Sequence, residues 1–141
     1  MLQFPRSQSI THHWREQLNL VTSWIDSSHI YGSFKCHSDH LRAFQSGKLK
    51  WLSHPLGPFK GLLPRHATNH ECTSRTKLCF EAGDDRANEQ PGLAAMHTLL
   101  MREHNRLAEQ LELLNPRWDE HKIFEEARKI VIAINQHITY K

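Results

Sequence analysis

Arg86 and Glu89 stand three residues apart in the stretch Gly83-Asp84-Asp85-Arg86-Ala87-Asn88-Glu89-Gln90-Pro91. On a helical turn, side chains at that spacing point the same way. An arginine is always protonated and offers five donors, which suits it to stabilising negative charge that develops on oxygen. The same two residues also suit a plain ion pair on a first turn, and acidic residues favour a helix N-terminus without any further role. A second candidate is Thr22-Ser23-Trp24-Ile25-Asp26-Ser27-Ser28. If this stretch is extended, the side chains of Thr22, Asp26 and Ser28 fall on one side and the carbonyl of Trp24 can turn to the same point. Hydroxyls, a carbonyl and a carboxylate are hard oxygen ligands of the type calcium prefers. One carboxylate supplies too little charge for a tight site, so another must come from elsewhere. The competing reading is a turn or helix cap built from Ser and Thr beside Asp.

Twelve histidines are present, which is unusual for 141 residues. His97 and His104 lie seven apart and share a helix face, but neither has a carboxylate or second His placed to complete a metal site. There is no His-Glu-x-x-His, no Gly-rich phosphate loop and no nucleophile elbow. Interior or surface histidines with satisfied partners are expected instead of a zinc site. Three cysteines are too few for a disulfide framework. Cys72 and Cys79 close a short polar loop and can pair in an oxidising compartment, which leaves Cys36 over.

The elements that must position these residues are mainly helical. Seventeen Leu and nine Ala stand against two Val, so helix is well supplied and extended sheet poorly supplied. The clearest helix is expected over 92–114, with a stripe of Leu93, Met96, Leu100, Leu107, Leu111 and Leu114. Pro91 sits at its start, where a missing N–H costs nothing, and Asn115-Pro116 stops it. A second helix is expected over 119–138, capped by Asp119, with a stripe of Ile123, Ala127, Ile130, Ile134 and Ile138 flanked by Phe124 and Val131. The short link between them makes the two helices neighbours. The N-terminal half is irregular, with short helices expected at 16–21 and at 39–45, the latter capped by Ser38. The span from Gly47 to Ala82, rich in Pro, Gly, His and Ser, reads as one long surface loop.

Length alone implies a single domain. The apolar content is below the ordinary globular range of about 45–50%, even when glycine is counted. Some surface is therefore expected to face a partner or the rest of a larger protein. The net charge of +3 is small, and the basic residues alternate with Glu, the pattern of a solvated helix face and not of a nucleic-acid contact. No run of 18 apolar residues supplies a transmembrane helix, and the N-terminus carries no apolar stretch of signal-peptide length.

Several of these segments resemble one family. Arg15-Glu16-Gln17-Leu18-Asn19, Thr22 to Ser28 and Ile30-Tyr31-Gly32-Ser33 resemble the calcium-loop region of the animal haem peroxidases. Cys79-Phe80-Glu81-Ala82-Gly83-Asp84-Asp85-Arg86-Ala87-Asn88-Glu89-Gln90 resembles that family's catalytic-arginine segment. Met96-His97-Thr98-Leu99, Arg102 to Arg106 and Leu114 to Trp118 are similar to its long helix behind the haem, and Glu126 to Val131 with Gln136 to Tyr140 to the helix that follows. The resemblance covers essentially the whole chain, in order.

It implies a mainly α fold, with residues 1–141 forming the central segment of a peroxidase catalytic domain. Arg86 then corresponds to the distal arginine, which helps part the O–O bond of hydrogen peroxide. Glu89 corresponds to a carboxylate ester-linked to a haem methyl. Thr22, Trp24 through its carbonyl, Asp26 and Ser28 correspond to calcium ligands, and Cys72 with Cys79 to a family disulfide. The implied cofactors are haem and calcium. The implied substrates are hydrogen peroxide and a halide or phenolic electron donor, in a secreted protein of the oxidative-stress response. Gln90 stands where one branch of the family has a haem-bonded Met, so a sulfonium link is not expected. None of the twelve histidines sits in the family's distal or proximal context, so this stretch by itself is expected to be inactive, and a non-catalytic helical remnant is the alternative reading.

Overall fold

A proline at the first helical position and an Asn-Pro pair after the last leucine bound the longest helix. The computed structural model describes residues 19–54, 57–66 and 79–141. In chain order its elements are α1 (Ser28–Tyr31), α2 (Lys35–Leu41), β1 (Leu52–His54), β2 (Gly57–Leu62), a 3₁₀ turn (Asp85–Asn88), α3 (Pro91–Leu114) and α4 (Glu120–Tyr140). The molecule is mostly helical, as its composition predicts.

The ends of the long helices follow from capping. Asn115 closes α3, its Nδ2 donating to the Leu111 carbonyl at 3.1 Å. Asp119 caps α4 by accepting the Lys122 N–H at 2.7 Å. The two helices pack on one another, and α3 also touches α1, β2 and the 3₁₀ turn.

The buried faces are rotated from the expected stripes. On α3 the core-facing residues are His97, Thr98, Met101, His104 and Ala108, while Met96 and Leu114 are exposed. On α4 they are Ile123, Phe124, Ala127 and Val131, while Ile130 and Ile138 reach solvent. Periodicity in apolar residues missed the α3 face because two of its core residues are histidines.

His104 shows how a polar ring is accommodated there. It is fully buried, and its Nε2 lies 2.9 Å from the Gly47 carbonyl. A carbonyl only accepts, so Nε2 carries the proton and Nδ1 accepts from the Tyr31 hydroxyl at 2.9 Å. Tyr31, His104 and Phe124 meet edge to face in pairs 5.1–6.1 Å apart. Such pairs contribute about 0.5–1.5 kcal/mol beyond area burial.

The span read as a loop from Gly47 to Ala82 is in part a hairpin. β1 and β2 pair antiparallel, with Leu52 opposite Leu62 and His54 opposite Gly57. Polar side chains of α3 hold this segment by its backbone. Asn105 accepts from the Leu49 N–H (2.8 Å) and donates to the Leu49 carbonyl (3.1 Å), Arg102 Nε donates to Gly61 (2.6 Å), and His104 donates to Gly47. Leu49 and Leu63 consequently join the core. Gly47 has φ +64°, and a Cβ there would overlap Ile123 and the Phe124 nitrogen.

The expected helix over 39–45 lies earlier, at Lys35–Leu41, and Ser38 is inside it. It ends because Arg42 turns extended to bridge Leu49. The Arg42 side chain is buried between the rings of Phe44 and Phe124 and pairs with Glu120 at 2.7 Å. Of the helix expected over 16–21, residues 16–18 lie outside the described residues, and 19–21 are not helical.

Candidate functional site

Thr22, Asp26 and Ser28 do converge, though through a turn and not an extended strand. Ile25 and Ser27 take positive φ (51° and 57°), which reverses the chain before α1. The Thr22 hydroxyl donates to Asp26 Oδ1 and lies 3.1 Å from Ser28 Oγ. Asp26 Oδ1 also accepts the Ser28 N–H at 3.1 Å. The turn that composition alone suggested is thus present, and it gathers the three oxygen-bearing side chains.

Partial burial pushes the Asp26 carboxyl up, but hydrogen bonds from Thr22 and Ser28 outweigh it and hold the group below its ordinary value. It is therefore anionic at neutral pH. The Trp24 side chain is 78% exposed. α4 braces the same loop, Gln136 donating to the Ile25 carbonyl at 3.3 Å. The set of hard oxygens around one carboxylate fits calcium chemistry, with further charge needed from elsewhere.

The second site is built by the segment from Phe80 to Asn88. Asn88 staples its base, accepting from the Phe80 N–H (2.6 Å) and donating to the Phe80 carbonyl (2.7 Å). Asp84 caps the 3₁₀ turn by accepting the Arg86 N–H at 2.9 Å. Its two oxygens also take the Arg86 guanidinium, Nε at 3.0 Å and Nη2 at 2.8 Å. Among the described residues the ion pair of Arg86 is thus with Asp84, not with Glu89. Burial pushes the Asp84 carboxyl up, but the bonds from Arg86 more than reverse this and leave it below the ordinary range.

Arg86 is one-third exposed and lines an open cleft of about 620 Å³, together with Phe34, His37, His40, His66 and Asp84. The free, exposed thiol of Cys36 lies on the same wall. Glu89 follows the turn and is exposed, so its carboxylate is accessible to a group docking there. Behind Asp84, the rings of His29 and His97 meet edge to face at 5.2 Å. His97 Nδ1 donates to the Leu93 carbonyl at 2.8 Å, and its buried Nε2 has no hydrogen-bond partner among the described residues. Burial, and then the neighbouring His97, pull the His29 pKa down.

Sequence reasoning missed Asp84 as the partner of Arg86. The available signal was an N-cap residue immediately before a short helical turn and two positions before Arg86. No group of three or more His, Cys, Asp or Glu among the described residues is placed to hold a metal ion. Cys72, the expected partner of Cys79, lies outside the described residues.

The described residues thus form a mostly helical fold with an oxygen-bearing loop braced by α4 and an arginine held in the wall of a cleft. The model of the animal haem peroxidase family matches residues 1–141, and the chain belongs to that family. It is 44% identical to chorion peroxidase of Aedes aegypti over 90% of this chain and 16% of the relative. It is 46% identical to the human peroxidasin homolog over 90% of this chain and 9% of the relative. For human myeloperoxidase the figures are 44%, 90% and 18%. Peroxidase A from Dictyostelium discoideum superimposes with a TM-score of 0.77 at 33% identity, over 89% of this chain and 25% of that one. The chain therefore spans a minor part of the length of the relatives it matches.

Proposed function

We propose that residues 1–141 form the central segment of a secreted haem peroxidase catalytic domain, which reduces hydrogen peroxide and oxidises a halide or phenolic donor in the oxidative-stress response. What carries this reading is the placement of Arg86, a permanent cation anchored at the wall of a large cleft. Haem, when bound, supplies the iron-centred redox chemistry toward peroxide. Arg86 stabilises the negative charge that accumulates on the departing peroxide oxygen, a contribution that grows as water is excluded from the pocket. The exposed Glu89 carboxylate is the group that would link to a haem methyl. Thr22, the Trp24 carbonyl, Asp26 and Ser28 would hold calcium, with an additional carboxylate from the rest of the domain. A Cys72–Cys79 disulfide would close the polar loop that leads into the arginine segment. The remaining haem contacts, the two histidines included, would come from the rest of the domain.

The test is Arg86→Ala in the full-length protein. The expected result is a loss of peroxide reactivity of about 10²–10³-fold, the scale of removing one stabilising donor at a developing oxyanion. Unchanged reactivity removes Arg86 from this role.

A further inference from the structure

Asp84 binds Arg86 twice over: once as the cap of the 3₁₀ turn, through the backbone N–H, and once as a fork on the guanidinium, through both carboxylate oxygens. The cap alone would serve the local fold, and a serine or threonine would supply it equally well. A two-point fork is different, because it fixes the plane as well as the position of the guanidinium. The carboxylate that does this is itself held. Its side chain is only 12% exposed. The preceding residue, Gly83, lies so close to α1 that a Cβ would overlap the Ser28 carbonyl oxygen and the Gly32 nitrogen. The start of the arginine segment is therefore seated directly on the backbone of α1, whose first residue, Ser28, belongs to the oxygen-lined loop.

We infer that Asp84 is a positioning residue for Arg86: its carboxylate, seated against α1 through Gly83, fixes the plane and place of the guanidinium in the wall of the cleft. This rests on the reading of Arg86 as the peroxide-facing cation. A free arginine side chain samples many rotamers, and ordering it costs free energy at each turnover. Fixing the donor beforehand removes that cost, and a displacement of about 1 Å is enough to lose about 10²-fold in rate. The same geometry ties Arg86 mechanically to the Thr22–Ser28 loop, so a shift of that loop is transmitted through Gly83 and Asp84.

Two variants separate the fork from the cap. Asp84→Ser keeps a capping oxygen and removes the fork. Asp84→Asn keeps the size but sets an N–H₂ group against a donor of the guanidinium. The first readout needs no cofactor: solvent exchange of the Arg86 Nε–H, followed by ¹⁵N NMR in the full-length protein. Wild type is expected to be protected, and both variants are expected to exchange at least about tenfold faster with unchanged far-UV circular dichroism. The second readout is the bimolecular rate with hydrogen peroxide in the full-length, haem-loaded protein. It is expected to fall about 10–100-fold while the KM for the electron donor stays constant. Asp84→Glu, which keeps the charge, is expected to recover part of both. Should one variant fail to fold, the other carries the test. Wild-type exchange and wild-type peroxide rates in a folded variant overturn the positioning role, even if Arg86→Ala is slow. If Arg86→Ala is as fast as wild type, the peroxide reading falls instead, and the exchange measurement still decides whether Asp84 holds the guanidinium.

Discussion

Acid should weaken this fold through one ring, that of His104. The imidazole is buried, its Nε2 proton committed to the Gly47 carbonyl and its Nδ1 lone pair to the Tyr31 hydroxyl. Protonating Nδ1 turns an acceptor into a donor facing Tyr31, in a site that offers the charge no water. Burial, the largest cause, pulls the pKa from 6.5 down to about 4, with Arg42 and Arg128 adding to the depression and the Gly47 bond opposing it. The unfolded chain therefore binds a proton on this ring near pH 6.5, and the folded chain only near pH 4. Stability from this group is fully present above pH 6.5, declines as pH falls through the window from 6.5 to 4, and is flat below it. At 1.36 kcal/mol per pKa unit the total is about 3 kcal/mol. The assay is urea unfolding at intervals from pH 7.5 to 4, comparing wild type with His104→Gln. The variant is expected to be less stable at pH 7, by about 1–2 kcal/mol for the disturbed hydrogen bonds. It should also lack most of the wild-type decline between pH 6.5 and 4. Parallel stability curves for the two proteins would refute the assignment of the acid sensitivity to His104.

Two further outcomes are expected. Asp26→Asn removes the carboxylate from the Thr22–Ser28 loop and should weaken calcium binding by at least about tenfold, read by calorimetric titration of calcium into the full-length protein; unchanged affinity would move the site elsewhere. Asn105→Ala leaves the Leu49 N–H and carbonyl without their side-chain partner and should cost about 1–3 kcal/mol in urea unfolding at pH 7, whereas a loss below about 0.5 kcal/mol would show that the 47–50 backbone is held by other means.

The long helices were legible because their ends are written in local chemistry: Pro91 at the start of α3, Asn115-Pro116 at its end, and the Asp119 cap of α4. The oxygen cluster of Thr22, Asp26 and Ser28 was legible as a set of residue types but not as a shape. The two left-handed residues that bring it together, Ile25 and Ser27, carry no sequence mark of that conformation. The faces of the helices were misread where the core is polar, since a hydrophobic stripe cannot reveal His97 or His104 as interior residues. The hairpin within 47–82 was invisible for a related reason. Its anchors are Asn105, Arg102 and His104, more than 40 residues away in the chain, and they act on main-chain atoms that every residue type possesses. Asp84 was read only as one acidic residue among several, because local sequence does not say which carboxylate an arginine will choose.

That main-chain grip has a mechanical corollary. Because α3 holds Leu49 and Gly61 by main-chain atoms, the grip itself does not read their side chains; Leu49 is constrained instead by the core it joins, and Gly61 by the Trp51 ring that a Cβ would meet. The constraint is shifted onto the helix: Arg102, His104 and Asn105 sit within a single turn and together hold three distant points of the backbone. One helical turn thereby sets the course of a stretch more than 40 residues away, and a change at any of its three polar side chains would set main-chain atoms adrift.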